Sequence, residues 1–261
     1  MLDSSESALI ERARAGDRDA FAQLYDPLER PLRAFLYRMT AAAQDAEDLA
    51  QEIALQALET IAHYKGASSF RIWIFGRAAE AALEYLRGQK QWDPDALIRA
   101  GRRAAEKASE RRKLQKIHKS KLHTTYAIEE HIDFCFTCMG RCLPPHEEAA
   151  LLLAEVHGFS DAEAAETLGI SVQAVRFRVL QARQALVDHF DSRCSLINKD
   201  GTCSECAGLH TLLHGDHRRT EQTLFRIDLQ QRATPGERAA GLDQRLAIVR
   251  AIDPLYAEGT R

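Results

Sequence analysis

The stretch HIDFCFTCMGRC at residues 131–142 sets His131, Cys135, Cys138 and Cys142 four, three and four residues apart. On a helix all four fall along one stripe. Imidazole and thiolate are the ligands zinc prefers, at about 2.0–2.3 Å in a tetrahedron. A straight helix from His131 to Cys142 runs about 16 Å, so it cannot close four ligands on one ion. The remaining ligands must come from elsewhere, and SRCSLINKDGTCSECAGLH at 192–210 supplies Cys194, Cys203, Cys206 and His210. Two C-x-x-C pairs are the usual layout of a four-cysteine zinc site. The spacing favours Cys135, Cys138, Cys203 and Cys206, with His131, Cys194 or His210 as substitutes or as groups supporting the ligands. Cys142, a further turn along, is the weakest candidate. Three readings stay open: a structural zinc staple, a responsive site that releases zinc on oxidation or holds an iron–sulfur cluster, and unliganded thiols packed as small hydrophobes. Thiolate ligands must be deprotonated, so metal loss and oxidation are coupled in any liganded case.

The elements that must position these residues are helical by composition. The 261 residues are 45% hydrophobic and 28% charged, with Ala and Leu abundant and few β-branched runs, which predicts an all-α chain of two modest domains. No apolar run approaches the roughly 20 residues of a membrane span. The N-terminus MLDSSESALIERARAGD has no apolar signal core, so the expected location is the cytoplasm, where cysteines more often bind metal or sense redox than form disulfides. The net charge of −3 divides into −4 over residues 1–87, +5 over 88–130, −5 over 131–206 and +1 over 207–261. The basic block, Ala-, Lys- and Arg-rich with little to bury, reads as a linker; a solvated charged helix is the plain alternative.

Periodicity then places three helices before the linker. Phe21, Leu24, Tyr25, Leu28, Leu32, Phe35 and Leu36 line one face; Ala46, Leu49, Ile53, Ala57 and Ile61 a second; Ile72, Phe75, Ala79, Ala82, Leu83 and Leu86 a third. After the linker, LPPHEEAALLLAEVHG opens with proline and ends at glycine. Ser160 and Glu163 form a capping box, Gly169 supplies a turn, and Ser171 caps a last helix. That helix turns Ile170, Val175, Val179, Ala182 and Leu186 inward and leaves Gln173, Arg176, Phe177, Arg178, Gln181 and Arg183 largely outward. Two helices joined through a glycine turn, the second bearing Arg and Gln near its start, form a helix-turn-helix. Arg and Gln reach base edges and phosphates from the major groove.

Both blocks, in this order, resemble an extracytoplasmic-function (group 4) sigma factor of bacterial RNA polymerase. DAEDLAQE and SSFRIWIFGRAAEAALEYLR resemble its region two. LPPHEEAALLLAEVHGFSDAEAAETLGISVQAVRFRVLQAR resembles region four. The likeness extends to the subgroup with a C-x-x-C before region four and a cysteine-containing C-terminal extension. It implies two small helical domains joined by a basic linker: region two at 1–92, linker at 93–130, region four at 131–191, and a short helical extension at 192–261.

The resemblance also implies roles. Asp48, Gln51 and Glu52 would grip the clamp helices of core polymerase. Lys65, Ser68, Arg71, Arg77 and Arg87 would meet the minus-ten element. Ser171, Gln173, Arg176, Phe177 and Arg178 would read the minus-thirty-five element, with Arg183 nearer a phosphate. Trp73 is core first and DNA contact second. One departure stands out: where the family carries basic residues and an Asn facing DNA, this chain reads GRAAEAA, with Gly76, Ala79 and Glu80. An acid near phosphate costs affinity. The expected function is promoter specificity in transcription initiation, with no catalytic turnover, core polymerase and promoter DNA as partners, and an anti-sigma protein or a masking tail as regulator. The alternative is a stand-alone metal- or redox-responsive helix-turn-helix regulator, which would bind DNA without polymerase.

Overall fold

A computed structural model describes residues 4–64, 66, 68–93, 95, 128–193, 235–252 and 254–255. Every regular element among them is helical. None of these helices is long and apolar enough to cross a membrane. The described residues fall into two compact units. One draws on 1–90, 144–182 and 255–261, the other on 91–143 and 183–254.

In the first unit, α1 (Ser4–Arg14), α2 (Arg18–Thr40), α3 (Ala43–Thr60) and α4 (Phe70–Leu86) make a bundle. Local chemistry fixes the ends. Asp17 caps α2 by accepting from the Ala20 amide at 3.0 Å, and the Arg12 ion pair beside it adds to that bond in holding its carboxyl below the usual range. Ser69 caps α4 by accepting from the Ile72 amide, and Glu6 of α1 accepts from the Phe70 amide at 2.8 Å. Two orphan amides at one helix start are thereby satisfied from two elements. Leu32, Phe35, Leu36, Ile53, Ile72 and Phe75 are buried in the core, as the spacing predicts, and so is Ile74, which the spacing does not pick out; Leu28, Leu49 and Leu83 are half-buried. An aromatic row extends from Tyr25 through Phe21 and Phe70 to Trp73 and Tyr64, with centroid separations of 4.8–5.9 Å.

The same unit contains the helix-turn-helix. Its first helix, α6 (Pro145–Leu151), starts at a proline after α5 (Ile128–Gly140) and runs into a π-helical turn over Leu152–Val156. The sequence reads this stretch as one regular helix to Gly158; the widened turn is a difference the pattern does not carry. α7 (Asp161–Leu168) begins with the Ser160–Glu163 capping box and ends at Gly169, which takes the left-handed conformation at φ +64°. Ser171 caps α8 (Val172–Arg193) by accepting from the Ala174 amide at 3.1 Å. α7 packs directly on α4.

In the second unit, α5 packs against α9 (Pro235–Ala251). Leu242, Leu246 and Val249 of α9 are buried, as are Phe136, Cys138 and Met139 of α5 and Phe190 at the end of α8. The buried Arg245 guanidinium lies 4.4 Å from the Phe190 ring centroid, a cation–π contact.

Candidate nucleic-acid interface

Three faces carry the residues the sequence singles out. On α3, Asp48, Gln51 and Glu52 are exposed and lie on one side. Each is held along the helix: Gln44 donates to Asp48 at 3.0 Å, Gln51 to Glu47 at 3.2 Å, Gln56 to Glu52 at 2.8 Å. Leu55 stands in the middle of this acidic side at 63% exposure. Sequence reasoning passes over it because it is a single leucine off the buried phase. Its signal was legible all the same: it lies three, four and seven residues after Glu52, Gln51 and Asp48, the offsets that share a helix face. A large exposed apolar group with a polar surround has the apolar centre and polar rim that a protein contact uses.

The second face is the start of α4. Ser68 accepts from the Tyr64 hydroxyl through its carbonyl, and its own hydroxyl lies 3.4 Å from the same oxygen. Trp73 is half-buried, stacked on Tyr64 at 4.8 Å. Arg77 donates to Gln56 at 3.1 Å and stands 5.5 Å from the Trp73 centroid. Arg87, at the helix end, is exposed and pairs with Glu84. Arg71 points elsewhere: it donates to the His157 carbonyl and lies 3.8 Å from the Phe159 ring centroid, so desolvation lowers its pKa. Lys65 lies outside the described residues. The structure therefore brings Ser68, Trp73 and Arg77 to one end of the bundle and sets Arg71 against the helix-turn-helix.

The third face is the outer side of α8. Gln173, Arg176 and Phe177 are exposed, with Phe177 at 61% and Leu180 one turn on at 62%. Arg176 donates to Asp161 at 2.6 Å, tying the start of this helix to the start of α7. Arg178 is half-buried and its charge helps to hold the His146 pKa down, after desolvation. In the second unit, Arg183 donates to Asp243 of α9 at 2.5 Å, so a tail carboxylate occupies a guanidinium to which the family resemblance gives a phosphate.

The cysteines divide between described and undescribed residues. Cys135 is half-buried, Cys138 buried, and the half-buried Cys142 thiol donates to the Cys138 carbonyl at 3.4 Å. Burial, and secondarily the Cys142 sulfur, push the Cys138 thiol up to about 12, so it stays protonated at neutral pH unless a cation replaces its proton. Cys135 and Cys138 are the half of a C-x-x-C pair of sites that one helix can supply. Among the described residues no three His, Cys, Asp or Glu side chains converge as metal ligands. Cys194, Cys203, Cys206 and His210 lie outside those residues, as does the side chain of His131.

Comparison with known proteins agrees with this arrangement. Residues 24–91 match the Sigma-70 region 2 family and residues 134–186 the Sigma-70 region 4 family. The chain is 31% identical over 182 residues to the ECF RNA polymerase sigma factor SigG of Mycobacterium tuberculosis, a match covering 66% of this chain and 48% of that protein. It thus spans about half the length of that relative. It is 26% identical to the RNA polymerase sigma-H factor of Pseudomonas aeruginosa over 71% of this chain and 94% of the relative. It is 27% identical to the ECF RNA polymerase sigma-E factor of Escherichia coli K12, covering 70% and 92%. In fold it is similar to CnrH as solved in complex with the cytosolic domain of CnrY, with a TM-score of 0.51, 20% identity, and coverage of 72% and 98%. Two region matches in the right order, on a helical bundle followed by a helix-turn-helix, place this chain in the extracytoplasmic-function group of RNA polymerase sigma factors.

Proposed function

We propose that the protein directs core RNA polymerase to specific promoters and assists initiation, with no turnover of its own. The observation that carries this reading is the pairing of two surfaces in one chain. An acidic α3 face centred on exposed Leu55 suits a protein partner, and an α8 face bearing Gln173, Arg176 and Phe177 suits a DNA groove. A stand-alone regulator has use for the second and none for the first. Lys65, Ser68, Arg77 and Arg87 are assigned to the minus-ten element, with Arg71 joining them once it leaves His157. Charge reversal at Asp48 tests the polymerase half: Asp48→Lys should weaken capture by core polymerase about tenfold, while melting temperature stays within about a degree. Undiminished capture overturns the assignment of that face.

We further propose zinc at Cys135 and Cys138 together with Cys203 and Cys206, where it would supply a crosslink between the segments flanking the helix-turn-helix. Support comes from the doubled C-x-x-C spacing and from the high affinity of a cysteine pair for the ion once deprotonated. Metal content of protein purified without oxygen or chelator tests it. About one zinc per chain, falling to none in Cys138→Ser, supports it; a metal-free protein, or iron with visible colour, replaces it with one of the other two thiol readings. The masking regulator is assigned to α9, through the Asp243 contact with Arg183. A truncation that begins transcription no better than the full chain contradicts this.

A further inference from the structure

Four side chains of α8 share one stripe at offsets of three, four and seven residues: Gln173, Arg176, Phe177 and Leu180, all exposed. The two arginines of VRFR are set differently. Arg178 is half-buried, close enough for its charge to act on His146 and Glu147 of α6. Arg176 stands in the middle of the exposed stripe, and another helix reaches it there: its Nε donates to the Asp161 carboxylate, at the start of α7, at 2.6 Å. That bond does little as a stabiliser. The two side chains are 68% and 41% exposed, and ion pairs so solvated add little to a fold. Nor does Asp161 help the helix-turn-helix approach DNA, because a carboxylate beside the reading stripe repels phosphate. Capping is already supplied by the reciprocal bonds of Ser160 and Glu163. The dipole of α7 favours an acid in its first turn, but Glu163 holds such a place too, and the dipole does not choose an arginine on α8 as partner.

We propose that Asp161 is a positioning residue that holds Arg176 to read a guanine in the minus-thirty-five element. The inference rests on the promoter-specificity reading for the name of that element, and on the Asp161–Arg176 bond for its chemistry. A guanidinium carries five N–H donors in a rigid plane, and the bond to Asp161 takes the one on Nε. The end edge, Nη1 with Nη2, carries two parallel donors outside that bond. Guanine is the base that offers two adjacent acceptors, O6 and N7, in the major groove. Held through Nε, the side chain meets them end-on with less rotamer freedom to lose on binding. Unheld, it swings as readily to a phosphate, which accepts from arginine whatever the base. The carboxylate thus lowers general attraction for DNA and raises discrimination between bases.

The test selects bound sequences from a pool of randomised duplex DNA, using the full-length chain with and without core polymerase. The parent with polymerase should enrich guanine at one position, and Arg176→Ala should erase the preference there alone. Asp161→Ala should cut the guanine preference at that same position about tenfold, the order of one good bidentate pair. Asp161→Asn, which keeps an acceptor without the charge, should retain more of the preference than Asp161→Ala. Affinity of Asp161→Ala for duplexes outside the enriched set should be undiminished, and its melting temperature should stay within about two degrees of the parent. If Asp161→Ala binds every sequence more tightly with its guanine preference intact, the carboxylate is only a repulsive charge and the positioning role is overturned. Equal loss at every position overturns it too, as does a parent with no guanine preference or with one that survives Arg176→Ala. If the chain alone enriches the same sequences and polymerase adds nothing, the promoter-specificity reading falls, while the guanine preference of the Asp161 variants still decides the positioning role.

Discussion

At the scale of single residues, the energetic weight lies on a few side chains in unusual settings. Leu55 is exposed among acids, so replacing it costs the fold little, within about 0.5 kcal/mol. As the apolar centre of a protein-contact patch it should matter far more to binding. Leu55→Glu is expected to weaken core-polymerase capture by at least tenfold with melting temperature unchanged, read by titration of labelled chain. Ser160 has the opposite profile: its hydroxyl accepts from the Glu163 amide, and the Glu163 carboxylate accepts from the Ser160 amide at 2.8 Å. Ser160→Ala should cost about 1 kcal/mol of stability, visible as a lower denaturation midpoint with an unchanged slope.

At the scale of elements, the packing of the turn before α7 on α2 and α4 carries a pH dependence whose sign follows from His157. Its pKa falls from the ordinary 6.5 to about 3, chiefly by burial and then through Arg38 of α2 and Arg71 of α4; its Nε2 is buried with no hydrogen-bond partner. A group whose pKa is lowered in the folded state stabilises the fold fully above 6.5, and that contribution is lost as pH falls below it. Between pH 7.5 and 5.5 this contribution to the folded-to-unfolded ratio should drop about tenfold, and His157→Phe should abolish that drop. Denaturant titrations of both chains at the two pH values read this, and the same pH dependence in both refutes the role of His157. The Ser160–Glu163 box, the Gly169 turn and the Ser171 cap were legible because each is chemistry between residues three apart. The Arg71–His157 bond spans 86 residues, and no local pattern encodes it. Gly76 was visible only as a departure. Its cause, the Thr167 carbonyl on α7, exists only in three dimensions. Cys138 was legible as a ligand type, while its burial depends on the packing of α5 against a tail helix whose pattern in sequence is weak.

At the scale of the whole molecule, α9 belongs to the folded architecture of the second unit. Leu246 of α9 is fully buried, so Leu246→Ala should cost about 2–5 kcal/mol. It should lower the thermal transition of that unit and leave the first unit's transition in place, as calorimetry would show. Two region matches, an exposed acidic face on α3 and an exposed α8 face are what the proposal of promoter choice rests on. The most direct measurement is transcription by core polymerase on genomic DNA of the source organism, with and without the purified protein, sequencing every RNA 5′ end. The account predicts discrete start sites that appear only with the protein present, share sequence elements upstream, and disappear with Arg176→Ala. An unchanged pattern of starts, alongside sequence-specific DNA binding by the protein alone, would contradict it and establish the stand-alone regulator instead.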